Sequence, residues 1–193
     1  MRNRKPTRLL RNKRGLGEAI SALIIVVASV LLSTIVVLFA VNVTASQVQK
    51  EKLFIASSHI WYVNSTTSIA ALGISNVGST DSVLTKITVN GLQCNWNGTS
   101  NYVVCSKING AFPGDLSFVG DMSSVGNTKI AIAGQQYTFT PASTGLTVKS
   151  GESIAFYMVV PNCILIQDVS MPADIILTTT QAVYCTENNV QTA

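Results

Sequence analysis

The chain has 193 residues and a formal net charge of +4 at pH 7. Residues 1–15 contain seven of the thirteen Lys and Arg residues and no acid, which leaves six Lys against nine acids in the remainder and a net charge of −3 there. Because the excess positive charge is confined to a short tail that leads into an apolar run, it indicates membrane topology and argues against a nucleic-acid-binding protein.

The apolar run is the strongest structural signal in the chain. No charged residue lies between Ala19 and Gln49, and residues 20–41 are apolar except for four Ser and Thr side chains. As a helix these residues are long enough to cross a hydrocarbon core of about 30 Å. Neither Gly nor Pro follows before about residue 62, so we expect one helix over residues 16–62, apolar first and amphipathic later.

Three kinds of protein carry such a segment. A conventional secretion signal has an apolar region of about 7–15 residues before a small-residue cleavage site, and this run is longer. A permanent single-span anchor, with the basic residues inside the cell and the domain outside, fits the length and the charge. Neither explains why the lone Glu18 stands at the entrance to the apolar run, where an unpaired carboxylate costs about 2–3 kcal/mol.

The stretch KRGLGEAISALIIVVASVLL resembles the class III signal peptide of archaeal type IV pilin-like proteins, a family that includes adhesive pilins and archaellins. In that family a dedicated peptidase removes a basic leader ending in Lys/Arg-Gly and leaves the apolar helix on the mature protein. The resemblance implies a signal peptide of residues 1–15, and a cut after Gly17 is the second choice. The cleavage residues are then Lys13, Arg14, Gly15 and Leu16.

The same resemblance, which covers residues 11–42, implies that Glu18 lies near the mature N-terminus and pairs with the terminal amine of a neighbouring subunit. A carboxylate there also suits the dipole of a helix N-terminus. Small side chains along the helix would let neighbouring helices approach closely, although small and large residues alternate in any membrane helix. The expected assembly residues are Glu18, Ala22, Ala28, Ser29 and Ser33.

From about residue 67 the chain changes to short runs rich in Val, Ile and Thr, separated by Gly, Asn, Asp and Ser. Nine such runs without intervening helices predict an immunoglobulin-like β-sandwich head over residues 63–193, and the family has heads of this kind. The turns in VNGLQC and VKSGES predict two hairpins. The predicted fold class is therefore α+β, a long N-terminal hydrophobic helix followed by an all-β head, like a pilin lollipop.

Four cysteines follow the apolar run, and none belongs to a C-x-x-C motif. Since the chain has one histidine, a zinc site would lack its usual paired ligands. An even number of cysteines in an extracellular domain indicates two disulfides, for which three pairings are open. We favour Cys94–Cys105, across a predicted hairpin, and Cys163–Cys185.

Residues suited to catalysis are few. His59 stands alone in the predicted helix, and Asp115 and Asp121 flank a Gly-rich loop that lacks the regular acid spacing of a calcium site. Neither a phosphate-binding glycine motif nor a nucleophile elbow occurs. We therefore expect no enzyme activity, cofactor or metal. Three Asn-x-Ser/Thr sequons occur, of which Asn97 and Asn64 are the best glycosylation candidates.

The resemblance implies a structural subunit of an extracellular type IV pilus-like filament that serves in adhesion. Its partners would be further copies of the chain in a helical filament. During biogenesis they would be the prepilin peptidase, an assembly ATPase and a membrane platform protein, and the chain would reside in the cytoplasmic membrane. The alternatives are an archaellin, a minor pilin, and a single-span membrane-anchored β-sandwich that binds a ligand or partner.

Overall fold

The computed structural model describes residues 8–48, 51–96, 98–120, 122 and 128–193. One long helix is followed by an all-β domain, which confirms the predicted α+β fold class. The chain divides into two compact units, Met1–Val48 and Gln49–Ala193.

Helix α1 spans Arg8–Val48 and contains 41 residues. Its segment Gly15–Ala45 has a mean hydropathy of 3.0, and every side chain in it is exposed. By length and composition this segment can cross a membrane. Ser29 Oγ donates to the Val26 carbonyl at 2.8 Å, and Thr34 bonds back to its own helix in the same way. These hydroxyl groups are therefore satisfied without water.

The helix is shorter than predicted, because it ends at Val48 and the boundary between the two units lies there instead of at residue 62. Leu53–Asn64, which was predicted as helix up to residue 62, is strand β1. A β-bulge between Ile55 and Ser57 shifts the alternation of inward and outward side chains along this strand by one residue. The shift obscures the two-residue period in the sequence, and a lack of Gly and Pro suits a strand as well as a helix.

Twelve strands are present among the described residues. The short strands β4 and β12, like β1, are additional to the nine predicted runs, each of which contains a strand. The bounds are β1 Leu53–Asn64, β2 Thr67–Asn76, β3 Ser82–Val89, β4 Leu92–Gln93, β5 Tyr102–Asn109, β6 Thr128–Ile132, β7 Gln135–Pro141, β8 Leu146–Val148, β9 Glu152–Val160, β10 Pro172–Thr179, β11 Val183–Asn189 and β12 Gln191–Thr192.

The strands form two sheets that enclose an inter-sheet core. The larger sheet has the order β12-β1-β2-β9-β5-β7-β6. The smaller has the order β11-β10-β3-β4, with β8 paired to the first residues of β3. Leu72 and Phe156 from the larger sheet and Leu84 and Ile175 from the smaller one belong to this core, and all four are buried. This arrangement is the layered β-sandwich that the sequence predicts.

The opposite face of the larger sheet is buried as well and forms a second, outer core. Ala71 of β2 and Tyr157 of β9 pack there with Phe139 of β7 and Leu116 of the β5–β6 connection. The rings of Phe139 and Tyr157 meet edge to face, with centroids 5.3 Å apart. Because both faces are covered, strands β2 and β9 are buried along nearly their whole length.

One of the two predicted hairpins is confirmed. VNGLQC connects β3 to β4 through Asn90 and Gly91, whose φ angles of 44° and 77° are those that a tight two-residue hairpin turn requires. VKSGES makes a turn but no hairpin, because β8 pairs with β3 whereas β9 pairs with β2 and β5. The turn residues predict that the chain reverses, but they carry no information on which strand becomes the partner.

Candidate functional site

The predicted cleavage site lies within α1, where Gly15 and Leu16 are exposed. Lys13 and Arg14 belong to the same helix, but their side chains lie outside the described residues. A Cβ atom built on Gly15 or Gly17 meets nothing within 4 Å, so packing requires neither glycine. Each glycine weakens a helix by about 1 kcal/mol relative to alanine, which favours local opening of α1 at this point.

Four of the five predicted assembly residues share one face of α1. At about 100° per residue these four fall within about 60° of one another, whereas Ala28 lies about 80° outside that range. Ala40 falls on the same face, and all of these residues are exposed. We call this set the small-residue stripe, and its members are Glu18, Ala22, Ser29, Ser33 and Ala40. A neighbouring helix can approach α1 most closely along this stripe.

A polar cluster fastens the β5–β6 connection to β1. His59, which lies in β1 and not in a helix, has its Nε2 atom 2.8 Å from Asp115 Oδ1, and Ser57 Oγ donates to the same oxygen at 2.6 Å. The backbone N–H of Leu116 donates to Ser57 Oγ at 3.1 Å. The hydrogen bonds from Ser57 and then from His59 hold the pKa of Asp115 below its ordinary value.

This cluster does not have the geometry of a hydrolase triad. In a triad the histidine bridges the carboxylate and the nucleophile, whereas here the carboxylate of Asp115 bridges Ser57 and His59. Ser57 is also buried, and its hydroxyl donates to the carboxylate instead of facing a histidine base. The cluster therefore holds the fold together and does not supply an activated nucleophile.

Asp115, one of the two acids flanking the Gly-rich loop, is thus engaged with β1, and Asp121 lies outside the described residues. Among the residues that the structure describes, no group of three or more His, Cys, Asp or Glu side chains could hold a metal ion. A groove of about 530 Å³ beside Phe54, Val77 and Phe112 has no titratable side chain in its lining. This groove offers contact area for a partner.

All four cysteines are free thiols in this structure, so neither of the pairings that we favoured is present in it. Cys94 follows β4 in the smaller sheet and Cys105 lies in β5 of the larger one, so the two are not paired across a hairpin. Cys163 is half-buried after β9, whereas Cys185 is exposed on β11. In each favoured pair the chain changes sheets between the two cysteines, so neither pair would close a hairpin.

Of the two glycosylation candidates, Asn97 lies outside the described residues. Asn64 is exposed at the end of β1, in the turn to β2. Its side-chain oxygen accepts hydrogen bonds from the backbone N–H and the hydroxyl of Thr66, both at 2.9 Å. The acceptor amide of this sequon is therefore accessible and held in one orientation by its own Thr.

The chain was compared with protein-family models and with curated proteins, and neither comparison finds a match. Its function is therefore inferred from the residues themselves and from their arrangement.

Proposed function

We propose that this protein is a structural subunit of an archaeal type IV pilus-like surface filament, cut between Gly15 and Leu16, assembled through α1 and used for adhesion. The observation that carries this proposal is the segment Gly15–Ala45, which is continuous, apolar and fully exposed within one chain. Apolar surface left in water costs about 25 cal/mol per Å². The segment therefore needs lipid before assembly and neighbouring helices after it.

The length of the segment favours a filament over a simple anchor. Gly15–Ala45 has 31 residues, which make a helix of roughly 46 Å at 1.5 Å per residue. A hydrocarbon core of about 30 Å is crossed by about 20 residues. In a simple anchor, the remaining turns of the helix would extend beyond the lipid, where no apolar partner covers them. Helices bundled in a filament can cover one another along their whole length. Subunits related by an operator that does not close form such helical filaments.

The position of Glu18 supports the same proposal. Glu18 lies on the small-residue stripe, the face along which a neighbouring helix approaches most closely. A carboxylate buried in a helix bundle is costly unless an opposite charge pairs with it. Cleavage before Leu16 would create a terminal amine on every subunit, and this amine is the partner that we assign to Glu18 of a neighbouring copy.

In this proposal the β-sandwich domain forms the outer wall of the filament and presents the adhesive surface. Both of its cores are closed within one chain, so the domain does not need its neighbours in order to fold. Several large apolar side chains remain exposed on it, among them Ile166 in the short 3₁₀ helix Ile166–Asp168 and Met171 shortly after this helix. Such side chains supply contact area for neighbouring subunits or for an adhering surface.

The first test is the N-terminus of the protein as it occurs on the cell surface, determined by mass spectrometry of sheared filaments. A start at Leu16 with Glu18 retained is the expected result. A start at Met1, with the protein confined to membranes, would overturn the proposal and leave a membrane-anchored domain. A start near Ser46 would also overturn it, in favour of a secreted soluble domain.

A second test separates processing from assembly. Glu18→Gln removes the charge at nearly constant size, and Glu18→Asp keeps the charge as the matched control. We expect Glu18→Gln chains to be cleaved normally but to yield at least tenfold fewer filaments by electron microscopy, while Glu18→Asp retains a substantial part of assembly. The reason is that removing one partner of a buried charge pair costs about 3–5 kcal/mol. Normal filament yield from Glu18→Gln would rule out the pairing.

A further inference from the structure

Two of the four cysteines contact the same end of strand β3. Cys94 follows β4, and its backbone N–H donates to the Ile87 carbonyl of β3 at 2.9 Å. Cys163 follows β9, and its Sγ lies 3.1 Å from the carbonyl oxygen of Val89, also of β3. Asn90 secures the second contact, because its Nδ2 donates to the Cys163 carbonyl at 3.2 Å. The chain thus brings both cysteines to positions two residues apart on the same strand.

Both side chains also lie on the same face of the smaller sheet. Ile87 and Val89 are fully buried in the inter-sheet core, as expected for alternate residues of one strand. Cys94 is buried in that core and Cys163 packs against it. Burial raises the pKa of Cys94 to about 12, and the nearby Cys163 thiol contributes to this shift. A disulfide requires that the two Cα atoms lie within about 7 Å of each other, which holds for neighbouring positions on one face of a sheet.

We infer that Cys94 and Cys163 form a disulfide in the mature protein, and that Cys105 and Cys185 remain thiols. Cys105 stands opposite Phe156 and Thr140 in the larger sheet, and Cys185 stands opposite Ile176 at an edge of the smaller one.

The bond joins the two layers of the sandwich. Strand β9, which precedes Cys163, lies in the larger sheet, whereas β3 and β4 lie in the smaller sheet. The cross-link would close a loop of about 70 residues, and long loops lose the most unfolded-state entropy in the loop-closure model. A subunit of a filament that is pulled at its surface would benefit from such a covalent tie between its sheets.

The oxidation balances as a thiol–disulfide exchange. The Cys163 thiolate attacks a disulfide-bearing oxidant and forms a mixed disulfide, and the first thiol of the oxidant leaves. The Cys94 thiolate then attacks the Cys163 sulfur and releases the second thiol, so the protein loses two protons and two electrons and the oxidant is reduced to two thiols. Burial raises the pKa of Cys163 to about 11, so thiolates are scarce in the closed core. We therefore expect oxidation to take place during folding. The inference of a disulfide rests on the extracellular location in the proposed function.

The test is disulfide mapping of the full-length chain refolded in detergent with oxidised glutathione, after free thiols are alkylated. Trypsin leaves Cys94 and Cys105 in one peptide and Cys163 and Cys185 in another, so chymotrypsin is needed to cut after Tyr102 and Tyr184. The expected product is a cross-linked pair of peptides that contain Cys94 and Cys163. A Cys94–Cys105 or Cys163–Cys185 cross-link, or four alkylated cysteines, would overturn the inference.

Thermal unfolding supplies a second readout with a matched control. In the oxidised protein we expect Cys163→Ser to lower the unfolding midpoint by on the order of 10 °C, and Cys185→Ser to leave it nearly unchanged. Reducing the wild-type protein should abolish the difference between wild type and Cys163→Ser. An equal drop for the two variants, or a difference that survives reduction, would contradict the disulfide.

The same mapping on native material distinguishes this inference from the filament proposal. Assembled filaments in which Cys94 and Cys163 are both alkylated would overturn the disulfide and leave the filament proposal standing. A Cys94–Cys163 cross-link in protein that retains residues 1–15 would support the disulfide and overturn the filament proposal.

Discussion

The helix and the β-sandwich domain differ in the solvent exposure of their apolar side chains. Leu23 and Phe39 of α1 are 66% and 70% exposed, whereas Leu72 and Phe139 of the domain are fully buried. The domain satisfies its apolar residues within one chain, through two cores on the two faces of its larger sheet. The helix can satisfy them only through lipid or other helices. Under the proposed function, folding and association are thus assigned to separate parts of the chain.

The largest effect is expected when the helix is removed, which tests whether the domain folds without it. A chain of residues 51–193 retains both cores, so we expect it to stay in solution without detergent and to unfold cooperatively, while losing membrane attachment and assembly completely. Size-exclusion chromatography and urea unfolding would measure this. An aggregated or unfolded product would mean that the domain depends on α1 for its stability.

A matched pair of leucines sharpens the comparison. Leu72→Ala removes a fully buried side chain from the inter-sheet core and should lower the free energy of unfolding by about 2–5 kcal/mol. Leu23→Ala removes an exposed one and should change it by less than about 0.5 kcal/mol. Both values come from chemical denaturation of the full chain in detergent. Similar losses for the two variants would show that α1 packs on the domain.

Gly73 tests whether the outer core is as closely packed as the inter-sheet core. A Cβ atom at this position would overlap the ring of Phe112, which covers β2 from the β5–β6 connection. We expect Gly73→Ala to cost about 1–3 kcal/mol of unfolding free energy. In a protein that already carries Phe112→Ala, the methyl group added by Gly73→Ala has space. Gly73→Ala should therefore cost far less unfolding free energy in that protein than in the wild type. Additive losses in this double-mutant cycle would contradict the contact.

The smallest expected effect concerns pH. Because the folded-state pKa of Asp115 is lowered, first by Ser57 and then by His59, its carboxylate stabilises the fold at neutral pH. This contribution is lost as the pH falls from the ordinary Asp pKa of about 3.9 through the lowered folded value. Its side chain is 75% exposed, so solvent screening limits the effect to under about 1 kcal/mol.

Asp115→Asn should therefore be less stable than the wild-type protein at pH 7 and about equally stable near pH 2, measured by urea unfolding across this range. His59→Gln should reduce the same pH dependence in part. A stability difference between wild type and Asp115→Asn that is constant with pH would show that the carboxylate charge plays no role.

Much of the fold was predictable from local patterns. The apolar run identifies α1, and each of the nine runs rich in Val, Ile and Thr contains a strand. The end of α1 was not predictable in this way, because the bulge between Ile55 and Ser57 disrupts the alternation that marks β1. Of the candidate site, the face shared by Glu18 and Ser29 follows from helical spacing alone. The Ser57–His59–Asp115 cluster does not, since its members meet across 56 or more residues of chain.

The sequence by itself determined which segments become helix or strand, because backbone preference and the spacing of apolar residues act over a few neighbouring positions. It also determined that α1 carries one long apolar segment, since no charged residue lies between Ala19 and Gln49. Only the tertiary structure decided which strands pair, that both faces of the larger sheet are buried, and that Cys163 approaches β3 beside Cys94. Those contacts join residues far apart in the chain, and their choice depends on how two whole sheets pack and not on any local pattern.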